Sequence, residues 1–116
     1  MKKISLFLCG FILFLFSSAF AHPPSDITIT FDPNTKILKA LIAHSVSNPR
    51  THFILKVDIG LNGREIIEQT ISRQDNAEGQ SVSFYIPDAS VGDTLSVEGY
   101  CSISGKLKKQ IQVVAP

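Results

Sequence analysis

The sequence predicts an all-β fold, a seven-stranded antiparallel immunoglobulin-like β-sandwich that follows a cleaved signal peptide. Three observations predict it. After residue 21, apolar and polar residues alternate with a period of two over seven short segments. Turn residues separate these segments at regular intervals, and no segment has the stripe of an amphipathic helix. Alternation is typical of half-buried antiparallel sheets. A small closed barrel is the alternative architecture.

Residues 1–21 have the composition of an export signal. Lys2 and Lys3 form a basic start, and the apolar residues 4–16 are followed by the cleavage-site pattern Ala19-Phe20-Ala21. The apolar segment is shorter than the about 20 residues of a membrane-spanning helix. We therefore predict cleavage after Ala21, with an uncleaved anchor as the alternative. The expected product is a periplasmic or secreted protein whose single domain is residues 22–116.

Charge argues against two classes of partner. Cleavage removes two of the eleven basic residues and leaves nine basic against ten acidic ones. A chain so nearly neutral has no electrostatic attraction for nucleic acid or for an anionic membrane surface, and we expect neither as a partner. The sequence leaves the oligomeric state open.

The first two predicted strands are short alternating segments. The first covers residues 27–31, where isoleucine and phenylalanine alternate with threonine, and it ends at the turn Asp32-Pro33-Asn34. The second covers residues 37–44. A polar loop at residues 45–51 follows, and Asn48-Pro49 makes it unsuitable for a strand.

The third and fourth predicted strands form a hairpin. All odd-numbered residues from Phe53 to Leu61 are apolar, so their side chains are predicted to share the core face of a strand over 52–61. Asn62-Gly63 is the strongest hairpin signal in the chain, because both residues accept the positive φ of a type I′ turn. The chain returns as the fourth strand over 64–72.

Three more strands complete the domain. A polar turn at residues 74–79 precedes the fifth strand, 82–86, which Pro87 ends. Glycine-containing turns precede the sixth strand, 95–101, and the seventh, 107–114.

Most enzyme signatures are absent from the sequence. It has no phosphate-binding glycine loop, no His-Glu-x-x-His and no Gly-x-Ser-x-Gly motif, so no catalytic residue is assigned. Acidic residues are scattered over strands and turns, and a solvated face is their predicted setting. The principal ones are Asp58, Glu65, Glu68 and Glu98.

The candidate metal ligands are His22, His44, His52 and Cys101. If the chain zigzags, the ends of the second and sixth strands and the start of the third share one pole, which brings the last three residues together. His22 becomes the N-terminus after cleavage and offers an α-amine and an imidazole from one residue. Nitrogen ligands suit copper, zinc or iron, and a thiolate adds a soft donor.

Each candidate also has a purely structural interpretation. Cys101 shares parity with buried-type residues of its strand and can act as a small hydrophobe. His44 can be a hydrogen-bonded rim residue, and His52 can face solvent. His22 can be the free first residue of a tail that Pro23-Pro24 only stiffens.

Two segments resemble superoxide reductases, the desulfoferrodoxin and neelaredoxin family. Residues 44–54, His-Ser-Val-Ser-Asn-Pro-Arg-Thr-His-Phe-Ile, resemble the family's His-Pro-Met-x-x-x-His-Tyr-Ile segment. Residues 100–105, Tyr-Cys-Ser-Ile-Ser-Gly, resemble its Tyr-Cys-Asn-x-His-Gly segment. The resemblance implies an immunoglobulin-like iron-binding domain with mononuclear iron. By position, His44 and His52 match equatorial histidines and Cys101 matches the axial thiolate. It also implies superoxide reduction supplied by an external electron donor.

The chain departs from the family pattern at three places. Two additional residues separate His44 from His52, and Ser104 stands where the family has a histidine. The family's Glu-Lys-His-x-Pro segment has no match, so two of the five usual ligands are missing from their places. His22 is the candidate replacement. Copper or zinc binding by a carrier protein, and a structural or interaction module without metal, are the alternatives.

Overall fold

The computed structural model describes residues 22–116, and the predicted signal segment, residues 1–21, lies outside the described residues. The described part is all-β, and it contains no helix long and apolar enough to cross a membrane. Its seven strands are β1 (Asp26–Asp32), β2 (Ile37–Ala43), β3 (Ile54–Leu61), β4 (Arg64–Thr70), β5 (Gly79–Tyr85), β6 (Thr94–Cys101) and β7 (Lys106–Gln112).

The strands form two antiparallel sheets, which confirms the predicted sandwich. One sheet has the order β1-β2-β5 and the other β4-β3-β6-β7. The chain crosses between the sheets after β2, β4 and β5, as immunoglobulin-like folds do. The sheets are separate, so the barrel alternative does not apply.

The core lies between the two sheets and is aliphatic. Alternating side chains of both inner faces are buried there, which is the pattern that the sequence predicted. The largest fully buried apolar side chains are Leu38, Ile42, Ile54, Ile59, Ile86, Leu95, Val57 and Val97.

The Asn62-Gly63 hairpin forms where the sequence predicted it. Asn62 has φ 53° and Gly63 has φ 83°, so both adopt the left-handed conformation of a type I′ turn. The Asn62 side chain also links this turn to the start of β6, because its Oδ1 accepts a hydrogen bond from the Thr94 N–H at 2.9 Å.

A β-bulge at the start of β3 corrects one sequence prediction. The register against β6 shifts between Ile54 and Lys56, so Ile54 turns into the core while Leu55 is 41% exposed. The expectation that Leu55 shares the core face is therefore wrong. An extra residue in one strand inverts the inward and outward alternation on one side of it. His52 lies in the bend that precedes β3 and is half-buried.

Candidate metal centre

One pole of the sandwich gathers all four predicted ligands. Because the strands alternate in direction, the start of β1, the end of β2, the start of β3 and the end of β6 lie at the same pole. His44 follows β2 directly and His52 lies two residues before β3. The sequence had placed both histidines inside strands, but the juxtaposition it predicted from a zigzag chain is present.

Three imidazoles form a nearly equilateral group at this pole. The ring centroids of His22, His44 and His52 lie 4.7, 4.9 and 4.8 Å apart, and one ligand nitrogen from each lies within 4.8 Å of the others. Three imidazoles bound to one ion at about 2.1 Å hold their centroids roughly 4.5–5.5 Å apart. The group could therefore hold a metal ion with little rearrangement.

Cys101 contacts one member of this group, His52, but lies outside the set of three residues whose ligand atoms are all within 4.8 Å of one another. Its Sγ lies 3.2 Å from His52 Nε2, and the Ile103 N–H donates to the same sulfur at 3.4 Å. A nitrogen and a thiolate that share one ion, at about 2.1 and 2.3 Å, lie roughly 3.1–3.6 Å apart. Cys101 is also 7% exposed and points inward like Leu95 in its strand. Cys101 can therefore face the core in its strand and still contact His52.

His44 is fully buried and has a partner at each ring nitrogen. Nδ1 lies 2.9 Å from Gln74 Oε1, and Nε2 lies 3.2 Å from the main-chain oxygen of His22. Gln74 is itself 1% exposed. Sequence reasoning missed Gln74, because a glutamine in a polar turn carries no signal that the fold will bury it.

The segment that carries His22 is docked on the sandwich. The Ser25 N–H donates to the Ala43 carbonyl at 2.8 Å, and Pro24 is buried close to Gly99. Pro23 packs against Gly105, where a Cβ would lie 3.0 Å from Pro23 atoms. We call residues 22–25 the N-terminal arm. The interpretation of His22 as the end of a free tail is wrong for this structure, because the two prolines seat the arm.

The surroundings of His52 favour its neutral imidazole form. Burial lowers the pKa of His52 below its usual range, and the neighbouring His44 and His22 lower it further because a second positive charge there is repelled. Neutral imidazole is the form that binds metal ions.

A second group of possible ligands lies on the outer face of the four-stranded sheet. One oxygen from each of Asp58, Glu65 and Glu68 falls within 4.8 Å of the others. Lys56 Nζ lies 3.3 Å from Glu68 and 3.6 Å from Asp58, so a cation already occupies this face. Glu65 and Glu68 are exposed, as the sequence predicted for a solvated face. The same prediction is wrong for Asp58 and Glu98, whose side chains are only 13% and 19% exposed because they lie beside Lys56, Tyr100 and Lys106.

The sequence matches no protein-family model and none of the curated proteins. The functional argument therefore depends on the geometry described above.

Proposed function

We propose that this chain is an exported metal-binding protein that holds one iron ion between His22, His44, His52 and Cys101. The single observation that carries the proposal is the triangle of imidazoles, whose ring centroids lie 4.7–4.9 Å apart, with the Cys101 Sγ 3.2 Å from His52 Nε2. Export after cleavage at Ala21 would put the domain in the periplasm or outside the cell, where a role as metal ligand would explain why the thiol of Cys101 is unpaired among the described residues.

The activity we propose is the one-electron reduction of superoxide. Ferrous iron, when bound, supplies the electron that converts superoxide and two protons to hydrogen peroxide, and an external donor returns it. The likeness of residues 44–54 and 100–105 to superoxide reductases supports this choice. A thiolate ligand donates electron density to the metal, which favours the oxidised state that follows the electron transfer.

The residues around the site have separate roles in this proposal. The Ile103 N–H donates to the Cys101 sulfur at 3.4 Å and holds it in place beside His52. The N-terminal arm presents His22 in place of a missing family ligand, and its seat against Gly105 holds it there. No side chain is assigned a proton-transfer role.

The test begins with mature protein made by authentic cleavage after Ala21, purified without oxygen and loaded with Fe(II). We expect near-stoichiometric iron, a thiolate-to-iron charge-transfer absorption on oxidation, and consumption of superoxide by the reduced form. Cys101→Ser should lose the absorption, whereas Ser102→Ala, a neighbouring change outside the ligand set, should keep it. Iron-loaded protein that consumes no superoxide would reject the activity, and a charge-transfer band that survives Cys101→Ser would reject the thiolate ligand.

A second candidate is a copper or zinc carrier whose ligands include the α-amine of His22. The docked arm favours it, because an amine at residue 22 would lie beside the three imidazoles and form a chelate with its own ring. Protein with one additional glycine before His22 separates the two proposals. A carrier of this kind should bind Cu(II) much more weakly in the extended form. Unchanged copper affinity would exclude the amine as a ligand.

A further inference from the structure

We infer that Gln74 is a positioning residue of the metal centre, which keeps the proton of neutral His44 on Nδ1 and leaves the Nε2 lone pair for a metal ion. The inference rests on the proposed function, since it assigns a role to a residue behind one of the proposed ligands.

The hydrogen bonds of Gln74 determine which end of its amide is oxygen. Its Nε2 donates to two main-chain carbonyls, His44 at 2.8 Å and Asn76 at 2.9 Å. Its Oε1 accepts the Ile54 N–H at 3.2 Å. Exchanging the oxygen and nitrogen would set two carbonyls against an oxygen and an N–H against an NH2 group. Only one orientation satisfies all three main-chain partners.

The orientation of Gln74 in turn assigns the proton of His44. Gln74 Oε1 can only accept, so His44 Nδ1, 2.9 Å away, is the donor. A neutral imidazole has a single N–H, and Nε2 is then unprotonated. That nitrogen faces the carbonyl oxygen of His22 at 3.2 Å, which also cannot donate. In the neutral ring this buried lone pair faces another acceptor, and either a second proton or a metal ion at Nε2 would satisfy it.

A metal ion at Nε2 satisfies this lone pair. Metal-binding histidines almost always donate their other N–H to a fixed acceptor, which sets the tautomer and the orientation of the ring. Gln74 supplies that acceptor here. Gln74 also contacts the loop between His44 and His52, because its main-chain N–H donates to the Pro49 carbonyl at 3.0 Å.

Gln80 offers a matched control for substitutions at Gln74. It is likewise buried, at 6% exposure, and its amide is likewise fully engaged. Its Oε1 accepts the Asp75 N–H at 2.9 Å, and its Nε2 donates to the Ser81 carbonyl at 3.0 Å and to Asp75 Oδ1 at 3.1 Å. None of these hydrogen bonds involves a histidine. Gln80→Leu therefore removes a comparable buried network without touching His44.

The experiment measures Zn(II) affinity by competition with a chelator and the His44 tautomer by nitrogen-proton NMR, on mature protein. Zinc is used because it is diamagnetic. We expect the zinc-loaded wild type to have the His44 proton on Nδ1. Gln74→Leu should bind zinc about 10–100-fold more weakly, and Gln80→Leu should bind it as the wild type does. Gln74→Glu keeps an acceptor for Nδ1, so it should retain the tautomer and most of the affinity despite a lower stability.

Three results would overturn the inference, and they are distinguishable. A wild type that binds neither zinc nor iron rejects the proposed metal centre itself. A wild type that binds zinc with the His44 proton on Nε2 rejects the role of Gln74 alone. Equal zinc affinities for Gln74→Leu and Gln80→Leu also reject the role of Gln74 and leave the metal centre in place. If Gln74→Leu does not fold, the wild-type tautomer and the affinity of Gln74→Glu decide the question.

Discussion

The histidine group at the pole and the acidic group on the outer sheet face are both close enough to hold an ion, yet they differ in what surrounds them. The carboxylates of Asp58 and Glu68 are paired with Lys56, whose side chain is 33% exposed. Lys56 Nζ also lies 4.2 Å from the centre of the Tyr100 ring. The acidic group thus has its cation within the chain, and its two glutamates remain in contact with solvent.

Among residues 22–116, no ion pair involves the histidine group. His44 is fully buried, His52 is partly buried, and Gln74 occupies the one ring nitrogen of His44 that is not needed for a metal. Proximity of potential ligands is therefore a weak criterion for a metal site. The burial of His44 with its fixed second hydrogen bond and the lowered pKa of His52 distinguish the pole from the sheet face.

The largest expected effect tests this distinction directly. His52→Ala should weaken binding of Zn(II) or Fe(II) by more than about 100-fold, since losing a ligand costs more than losing a supporting contact. Glu68→Ala, which removes a possible ligand from the acidic group, should leave the affinity unchanged. Chelator competition on the two variants measures this. Equal losses would mean that the acidic face contributes to the bound metal.

The second effect concerns the seat of the N-terminal arm. Gly105 has φ 91° and contacts Pro23, whereas Gly92 has φ 96° and open space around it. Alanine at either position should destabilise the fold by about 1–2 kcal/mol, because both adopt left-handed backbone. Only Gly105→Ala should also displace the arm.

We expect Gly105→Ala to weaken zinc binding roughly tenfold relative to Gly92→Ala, the lower end of the range for supporting groups. Denaturation midpoints and zinc affinities of both variants check this. If the two variants bind zinc equally, the arm does not need its seat on Gly105 to deliver His22.

The third effect belongs to the acidic face and appears at high pH. The pKa of Tyr100 is raised above its usual range, chiefly because its hydroxyl donates to Glu98 at 2.8 Å, and burial and the charge of Glu98 add to this. The folded state therefore holds this proton more tightly than the unfolded state. The resulting stability is fully present below about pH 10 and is lost as the pH rises through the higher folded value.

Tyr100→Phe removes the hydroxyl and the pH-dependent stability that it contributes, and it keeps an aromatic ring beside Lys56. We expect the urea midpoint of the wild type to fall more steeply above about pH 10 than that of the variant. Parallel curves for the two proteins would show that the Glu98 hydrogen bond does not persist in solution.

The smallest effect is expected from Lys56→Met. Its ion pair with Glu68, a side chain that is 52% exposed, is screened by salt, whereas its pair with Asp58, which is 13% exposed, is screened less. We expect a slight decrease in the urea midpoint that about 0.5 M sodium chloride reduces in part, and unchanged zinc affinity at the pole. A large decrease that salt does not reduce would mean that the acidic face depends on Lys56 more than exposed pairs allow.

Local patterns predicted most of the fold because they report burial residue by residue. Alternation placed seven strands, and the Asn62-Gly63 pair identified a turn whose two positive φ angles few other residues accept. The face of Leu55 was mispredicted, since a bulge depends on the pairing between β3 and β6 and not on the residues of β3 alone.

The amino-acid sequence by itself determined the fold class, the identity of the candidate ligands and, through strand direction, that His44, His52 and Cys101 meet at one pole. Tertiary structure alone decided that the arm docks and brings His22 to them, that Cys101 reaches His52 while facing inward, and that Gln74 is buried behind His44. The physical reason is the separation along the chain of the residues that determine each feature. Strand periodicity is a property of neighbouring residues, whereas a hydrogen bond between residues 44 and 74 exists only after the two sheets have packed.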